Sequence, residues 1–412
     1  MTVTLDDIKQ AQTILRQNEI PPTPLLFSPG ISAMVDGLPV YLKAENLNRA
    51  GSFKVRGAVN KMASLTPEEA ARGVIAASAG NHAQGVALAA RALGIRAIIC
   101  MPEGAPLTKV AATKNYGAEV VLHGQTYDDA YQKALELQAA HGYVFVHAFD
   151  DHYTVAGQGT IGLEILAELP DVKTVFVPIG GGGMISGIAL AIKTLKPEVR
   201  VIGVQAAGAP AMYLSKQNGE LTNTEFVRTI ADGIAIKRPG KLTWEIIKQY
   251  VDEIVLVDEE EIAESILVLL ERMKLMVEGG GAAGFAALLN RKVANVEGPA
   301  CVVLSGGNID VNVLSRIIER GLVKAGRYVR MTTFVPDRPG GLQQLLACVA
   351  NLGANVIECH HQRWLAKSTI GEVEIDLSLE TRDADHVQEL LAGLRQNGYE
   401  VQLLPAYRPS DR

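Results

Sequence analysis

The sequence predicts an α/β protein of doubly wound architecture, followed by a small domain of ferredoxin-like plan. Three observations predict it. From about residue 73 onward, short apolar segments alternate with helix-length, Ala-rich segments. Several apolar segments show no polar alternation, as expected of parallel strands covered on both faces. Beyond residue 325 the order becomes strand, helix, strand, strand, helix, strand.

The elements follow in order. Thr4 and Asp7 form a capping box for a helix over 5–17, and Pro21, Pro22 and Pro24 stop it. Strands are expected at Val74–Ala77, Ala97–Met101, Glu119–Leu122 and Tyr143–His147, with helices such as Asn81–Leu93 and Asp128–His141 between them. A second series of strands is expected at Thr174–Ile179, Arg200–Val204, Glu253–Val257 and Ala300–Leu304. Lys324–Arg327 reads as a linker. After it come a strand at Tyr328–Val335, a helix at Gly340–Asn351 and strands at Ala354–Trp364 and Glu372–Leu379. A helix at Ala384–Gln396 and a strand at Glu400–Leu404 complete the βαββαβ order.

Composition narrows the function classes. With 412 residues, 48% hydrophobic and 20% charged, two or three domains with sizeable cores are expected. The net charge of −6 and the lack of a Lys/Arg-rich run argue against nucleic acid and anionic membrane as partners. Met1–Ile20 holds no signal-peptide core, and no apolar run reaches membrane-span length. The four cysteines, Cys100, Cys301, Cys348 and Cys359, are scattered, as for reduced thiols in a cytoplasmic protein.

Four segments carry chemistry. In Gly51-Ser52-Phe53-Lys54-Val55-Arg56-Gly57-Ala58 a lysine stands between glycines and directly after an aromatic ring. Lysine forms imines with carbonyl cofactors when burial or nearby cations lower its pKa. The alternative is a surface lysine in a Gly-rich turn. Gly180-Gly181-Gly182-Gly183-Met184-Ile185-Ser186-Gly187 follows an apolar strand and opens a helix, which suits an anion cradle, best a phosphate. A dinucleotide fingerprint is the rival, but Gln205 stands near where that fold places its acidic residue. Ser78-Ala79-Gly80-Asn81-His82 is either a carboxylate-binding turn or a simple helix cap, with His82 structural. Ser305-Gly306-Gly307-Asn308 is either a ligand-facing turn or a helix start. All three turns fall after strands, where open α/β sheets collect ligands. Cys359 and His361 share one strand face, but a metal site normally needs three or four ligands, so no metal is expected. Asp150, Asp151 and His152 read as capping or turn residues.

An imine-forming lysine, a phosphate cradle and a carboxylate turn together match pyridoxal 5'-phosphate plus an amino acid. On these four motifs the chain resembles the fold-type II pyridoxal-phosphate enzymes, and within them the threonine ammonia-lyases (threonine dehydratases). The resemblance implies a catalytic domain over 1–325, with a small subdomain of about 55–150 inserted in the large one. It implies that Lys54 binds the cofactor aldehyde and acts as general base. Phe53 would pack beside the cofactor, and Asn81 would hydrogen-bond its 3-hydroxyl. Gly180, Gly181, Gly182, Gly183 and Met184 would hold the phosphate, and Ser305 would face the ring nitrogen. Ser78, Ala79, Gly80, Asn81 and His82 would surround the substrate. The implied reaction turns L-threonine into 2-oxobutanoate and ammonia, with L-serine to pyruvate as a lesser activity.

Serine racemases share most of these motifs but carry a second serine where Ala79 stands, so racemisation is expected to be poor. Glu278-Gly279-Gly280-Gly281 departs from the Glu-Pro-Ser/Ala-Gly of many dehydratases. In the tail, Asp337-Arg338-Pro339-Gly340-Gly341-Leu342 and Gly353-Ala354-Asn355-Val356 resemble the turns of an ACT domain, placed over 328–406. That resemblance implies regulation by a bound amino acid. A homo-oligomer, tetramer or dimer, is the family expectation. A non-catalytic amino-acid sensor is the competing class.

Overall fold

The computed structural model describes residues 2–363 and 370–404. Trp364, the expected end of one strand, lies outside the described residues. The chain forms two compact units, 1–309 and 310–412. The boundary falls ahead of the 324–327 segment because a helix over 311–324 groups with the second unit.

The first unit opens with α1 (Leu5–Gln17), capped reciprocally by Thr4 and Asp7. Then come β1 (Leu25–Phe27), α2 (Pro29–Met34), β2 (Val40–Lys43), α3 (Lys54–Ala63) and α4 (Pro67–Arg72). The small subdomain contains β3 (Val74–Ala77), α5 (Asn81–Leu93), β4 (Ala97–Met101), α6 (Leu107–Asn115), β5 (Glu119–Leu122), α7 (Tyr127–His141) and β6 (Val144–Phe145). The chain returns to the large subdomain through α8 (His152–Glu168), β7 (Thr174–Pro178), α9 (Gly183–Leu195), β8 (Arg200–Ala206) and α10 (Ala211–Asn218). It continues through α11 (Lys241–Tyr250), β9 (Glu253–Val257), α12 (Glu259–Val268), α13 (Gly279–Leu289) and β10 (Ala300–Val303).

Two sheets result. The large one runs β1-β2-β10-β7-β8-β9, parallel except for β1, and the small one runs β5-β4-β3-β6, parallel throughout. Strands β3, β4, β7 and β10 are buried along their whole length, which explains their unbroken apolar composition. β6 is shorter than the expected 143–147, pairing with β3 only at Val144 and Phe145. Beyond them His147 turns its Nδ1 back to accept from the amides of Phe149 and Asp150, and the chain leaves the ladder. β1 and β2 are not expected from the sequence, since three or four residues are too few to show a period.

The second unit holds α14 (Val311–Lys324), β11 (Tyr328–Pro336), α15 (Gly341–Asn351), β12 (Asn355–Gln362), β13 (Glu372–Glu380), α16 (Ala384–Gln396) and β14 (Val401–Leu403). Its antiparallel sheet runs β12-β13-β11-β14. Val329, Met331, Thr333 and Val335 of β11 point to one face, and α15 and α16 cover that face with Leu345, Val349, Leu390 and Leu394.

One polar feature lies deep in the first unit. Arg56, on α3, is fully buried and forks between Glu45 (Nη2–Oε1 2.8 Å) and Glu164 of α8 (Nη1–Oε1 2.5 Å). Lys43 of β2, also buried, meets Glu164 at 2.8 Å, Glu168 at 3.0 Å and the Thr23 carbonyl at 2.6 Å. Burial works against the Glu164 charge, but Arg56 and Lys43 hold its carboxyl below the usual carboxylate range. Arg56 thereby fixes α3, which begins two residues earlier at Lys54, against α8 and the large sheet. Replacing Arg56 by Leu leaves the buried Glu45 carboxylate without its cation and Glu164 with Lys43 alone. Urea unfolding should show a loss of about 3–5 kcal/mol, and an unchanged midpoint would contradict this assignment.

Candidate active site

Helix starts leave backbone N–H groups without intrahelical acceptors. Many are met by side chains: Thr4 caps α1, Ser28 caps α2, Thr66 caps α4, Thr126 caps α7 and Asp151 caps α8, whereas α6 and α10 start behind Pro106 and Pro210 without a side-chain cap. Asp150 caps α11, accepting from the amides of Lys241 (3.1 Å) and Leu242 (2.9 Å). Helices α3, α5, α9 and α13 behave differently. Their cap positions are Phe53, Gly80, Gly182 and Glu278, and none makes a side-chain cap bond. The Asn81–Glu278 bond joins the starts of α5 and α13, α5 packs on the Lys54 backbone at Gly85, and the 232–234 turn lies against both Glu278 and Gly180 ahead of α9. The dipoles of these helices make the region a natural seat for anions.

Lys54 is the first residue of α3. The Phe53 amide donates to the Ser305 carbonyl at 3.1 Å, and Ser52 bridges Gly306, so the loop after β10 anchors the start of the helix. Lys54 Nζ donates to the Ala148 carbonyl at 2.9 Å and lies 5.0 Å from the Phe53 ring centre. Helix α5 presses directly on this backbone: a Cβ at Gly85 would stand 3.0 Å from the Lys54 carbonyl carbon. Burial lowers the Lys54 pKa to about 8, against the opposing pull of Glu278. A desolvated amine near neutrality is both a nucleophile and a base.

Asn81 opens α5. Its Nδ2 donates to Glu278 Oε1 at 2.5 Å, and its Oδ1 accepts from Asn308 Nδ2 at 2.8 Å. Ser78 Oγ accepts from the Gly80 amide at 3.2 Å, which tightens the turn. The His82 ring is turned to the Val146 carbonyl at 2.8 Å, and burial, with Lys54 nearby, drives its pKa down to about 3. The neutral imidazole is thus tied through Nε2 to the backbone of the small subdomain.

The tetraglycine segment runs from the end of β7 into α9, with Gly182 at φ +99. Packing alone forbids side chains on every side. A Cβ at Gly180 would meet Ile234 Cα at 3.1 Å, and one at Gly181 would strike the Phe149 ring. At Gly182 it would meet Thr243 Oγ1 at 2.8 Å, and at Gly183 it would meet the Phe149 backbone at 2.9 Å. Packing thus demands glycine at 181, 182 and 183 and leaves little room for a side chain at 180. The anion cradle rests on the open N-terminus of α9, with Gly183 and Met184 buried at its first positions.

Glu278 and Asn308 carry parts of this region for which the sequence alone assigns no individual role. Glu278 is 4% exposed, and its amide donates to the Gly306 carbonyl at 3.0 Å. Burial and then Asp232 raise its pKa to about 7, while Asn81, Lys109 and Lys54 pull the other way. Gly306 must lack a side chain because Glu278 and Asn81 Nδ2 occupy that space, the latter 3.0 Å from a would-be Cβ. Asn308 ties Asn81 to the Ala50 carbonyl at 2.9 Å. An acid immediately before three glycines at a helix start is the sequence signal for Glu278. Asn308 has no such signal. Asp150 and Asp151 serve as caps, as expected, and His152 Nε2 lies 3.4 Å from Asp7. Among the described residues, no cluster of His, Cys, Asp and Glu is arranged to hold a metal.

The donor set fits pyridoxal phosphate. A desolvated amine can meet its aldehyde, an open helix terminus its phosphate, the Asn81 amide its ring hydroxyl and the Ser305 turn its ring nitrogen.

Comparison with known proteins agrees with this chemistry. Residues 16–306 match the model of a family described as pyridoxal-phosphate dependent enzyme. The L-threonine ammonia-lyase of Thermotoga maritima is 54% identical over 403 residues, covering 98% of this chain and all of that protein. Among solved structures, the processed form of threonine deaminase isoform 2 from Solanum lycopersicum superposes with TM-score 0.71 at 37% identity, covering 76% of this chain and 93% of that one. Maize serine racemase superposes with TM-score 0.74 at 35% identity, covering 79% of this chain and 99% of that one.

The Glu278 carboxyl gives a signed pH effect. Its raised pKa means that the cost of burying its charge is absent below about 4.5 and complete above about 7. Glu278→Gln keeps an acceptor for Asn81 but removes the charge. Thermal unfolding of the cofactor-free protein should find the variant stabilised over the parent by about 3 kcal/mol at pH 8.5, and by little at pH 4.5. An equal difference at both pH values would contradict the burial of an ionisable group there.

Proposed function

The chain belongs to the pyridoxal-phosphate dependent enzymes, and we propose that it deaminates L-threonine by α,β-elimination, giving 2-oxobutanoate and ammonia. The observation that carries this reading is Lys54: a desolvated amine, lowered to about 8, set among four open helix N-termini. The near-full-length similarity to a protein named L-threonine ammonia-lyase supports the same substrate.

When bound, pyridoxal phosphate supplies an electron sink conjugated to the substrate amine. The remaining work belongs to the chain. Amides at the start of α9 would hold the phosphate dianion, and the turn at Ser78–His82 would receive the substrate carboxylate on the amides that open α5. Phe53 would pack beside the ring, and Asn81, braced by Glu278 and Asn308, would fix the ring's hydroxyl edge. Lys54 takes the Cα proton, for which its lowered pKa suits it near neutral pH. The β-hydroxyl leaves as water with one proton, which balances the proton Lys54 takes from Cα, and the liberated unsaturated amine takes up water to give 2-oxobutanoate and ammonia. Ser305, a neutral hydroxyl, would face the ring nitrogen without favouring its protonation, as a carboxylate would. This favours elimination over amine transfer. Ala79 offers a methyl group where a second proton donor would be needed to invert Cα, which weighs against racemisation.

The second unit is read as an ACT-like regulatory domain over 328–406 that binds an amino acid. Its βαββαβ order and its turns at Asp337–Leu342 and Gly353–Val356 support this. Isoleucine or valine as effector would fit a role in isoleucine biosynthesis. A homo-oligomer working in the cytoplasm completes the proposal. No helix of the described residues is long and apolar enough to cross a membrane.

With L-threonine as substrate, Lys54→Ala should lower the rate of 2-oxobutanoate formation by about three orders of magnitude or more; a normal rate would refute the role of Lys54. Given L-serine, the protein should yield pyruvate without D-serine, as read by chiral chromatography. Accumulation of D-serine would favour racemisation.

A further inference from the structure

The two subdomains are joined at the site by more than the Asn81–Glu278 bond. Lys109, on α6 of the small subdomain, reaches a short 3-10 turn of the large one, Asp232–Ile234, where its Nζ lies 2.6 Å from Asp232 Oδ2. That turn is part of the wall of the site. A Cβ at Gly233 would lie 3.3 Å from Glu278 Oε1, and one at Gly180 in the phosphate cradle would lie 3.1 Å from Ile234 Cα. Exposure rises outward: Glu278 is 4% exposed, the Lys109 side chain 18% and the Asp232 side chain 58%. The ion pair therefore lies on the solvent side of Glu278, outside the inner link from Glu278 to Asn81.

We propose that Lys109 and Asp232 are positioning residues that form a clasp between the subdomains, closing the small one over the bound amino acid and coupling that closure to the charge on Glu278. This inference rests on the amino-acid lyase reading of the site.

The coupling follows from the charges that face Glu278 from each packed element: Asp232 on the 3-10 turn, Lys109 on α6 and Lys54 on α3, together with the Asn81 amide on α5. With the clasp shut, the Lys109 cation offsets the Asp232 anion, and Glu278 holds its negative charge more readily. An ionised Glu278 accepts a stronger hydrogen bond from Asn81, because charge-assisted bonds exceed neutral ones. The outer pair and the inner bond therefore reinforce each other, and by linkage the coupling runs in both directions. Substrate binding that draws the small subdomain inward would thus also set the charge beside Lys54.

The test uses the holoenzyme and three variants, Lys109→Met, Asp232→Asn and the double variant. Two quantities are read: KM for L-threonine, and the pH midpoint of the visible absorption band of the bound cofactor. Each single variant should raise KM by about threefold or more, as loss of a partly exposed ion pair allows. The midpoint should move in opposite directions, to lower pH for Asp232→Asn and to higher pH for Lys109→Met. The double variant should return the midpoint close to the parent value and raise KM no further than either single change. General loosening of the fold would move both midpoints the same way. The proposal is overturned if the midpoints stay fixed or move together, or if the KM effects multiply. The absorption titration needs only bound cofactor. A parent enzyme that turned over no threonine would sink the lyase reading and still leave the clasp open to measurement.

Discussion

The first unit depends on keeping one amine, Lys54 Nζ, out of water while holding its backbone rigid. Water would return the amine to an ordinary lysine, charged and unreactive at neutral pH. Desolvation comes from the packing of α5 on α3, which Gly85 permits, and from the strand-end segment that offers the Ala148 carbonyl. Rigidity comes from the Arg56 fork between Glu45 and Glu164, two residues beyond the amine. A buried ion pair of this kind is weak evidence for stability but can specify one arrangement of elements. Here the arrangement specified is the register of α3 against α8 and the large sheet.

The second constraint is electrostatic. Helices α3, α5, α9 and α13 start without side-chain caps, in a protein that caps many of its other helices with side chains. Those open amides suit a phosphate and a carboxylate, while burial and Asp232 disfavour the negative charge of Glu278 beside them. Glu278 in turn holds Asn81, and Asn81 holds Asn308, so hydrogen bonds tie together the loop after β10, the start of α5 and the start of α13. The arrangement crosses between subdomains, so their relative position and the site's charge state cannot be set independently.

Much of this is legible in the chain. Apolar runs such as Val74–Ala77 and Ala300–Val303 announce buried parallel strands, and the Gly-rich turns announce where ligands sit, because both are local properties of sequence. The capping box at Thr4 and Asp7 is equally local. What stays hidden depends on distant partners. β2 has only four residues and becomes a central strand because β10 and β1 flank it. Arg56 lies inside the lysine motif, yet its partners stand 11 and 108 residues away. Glu278 meets Asn81 across 197 residues, and no spacing rule reaches that far. The tetraglycine segment is evident in the sequence, but the neighbours that forbid its side chains, Phe149, Ile234 and Thr243, come from three separate loops and helices.

The central claim is that the side chain at position 54 carries the cofactor. Borohydride reduction of the purified holoenzyme, then proteolysis and mass spectrometry, tests it most directly. A pyridoxyl mass on the peptide containing Lys54 is the expected result. An adduct on another lysine, or none on any peptide, would contradict the account.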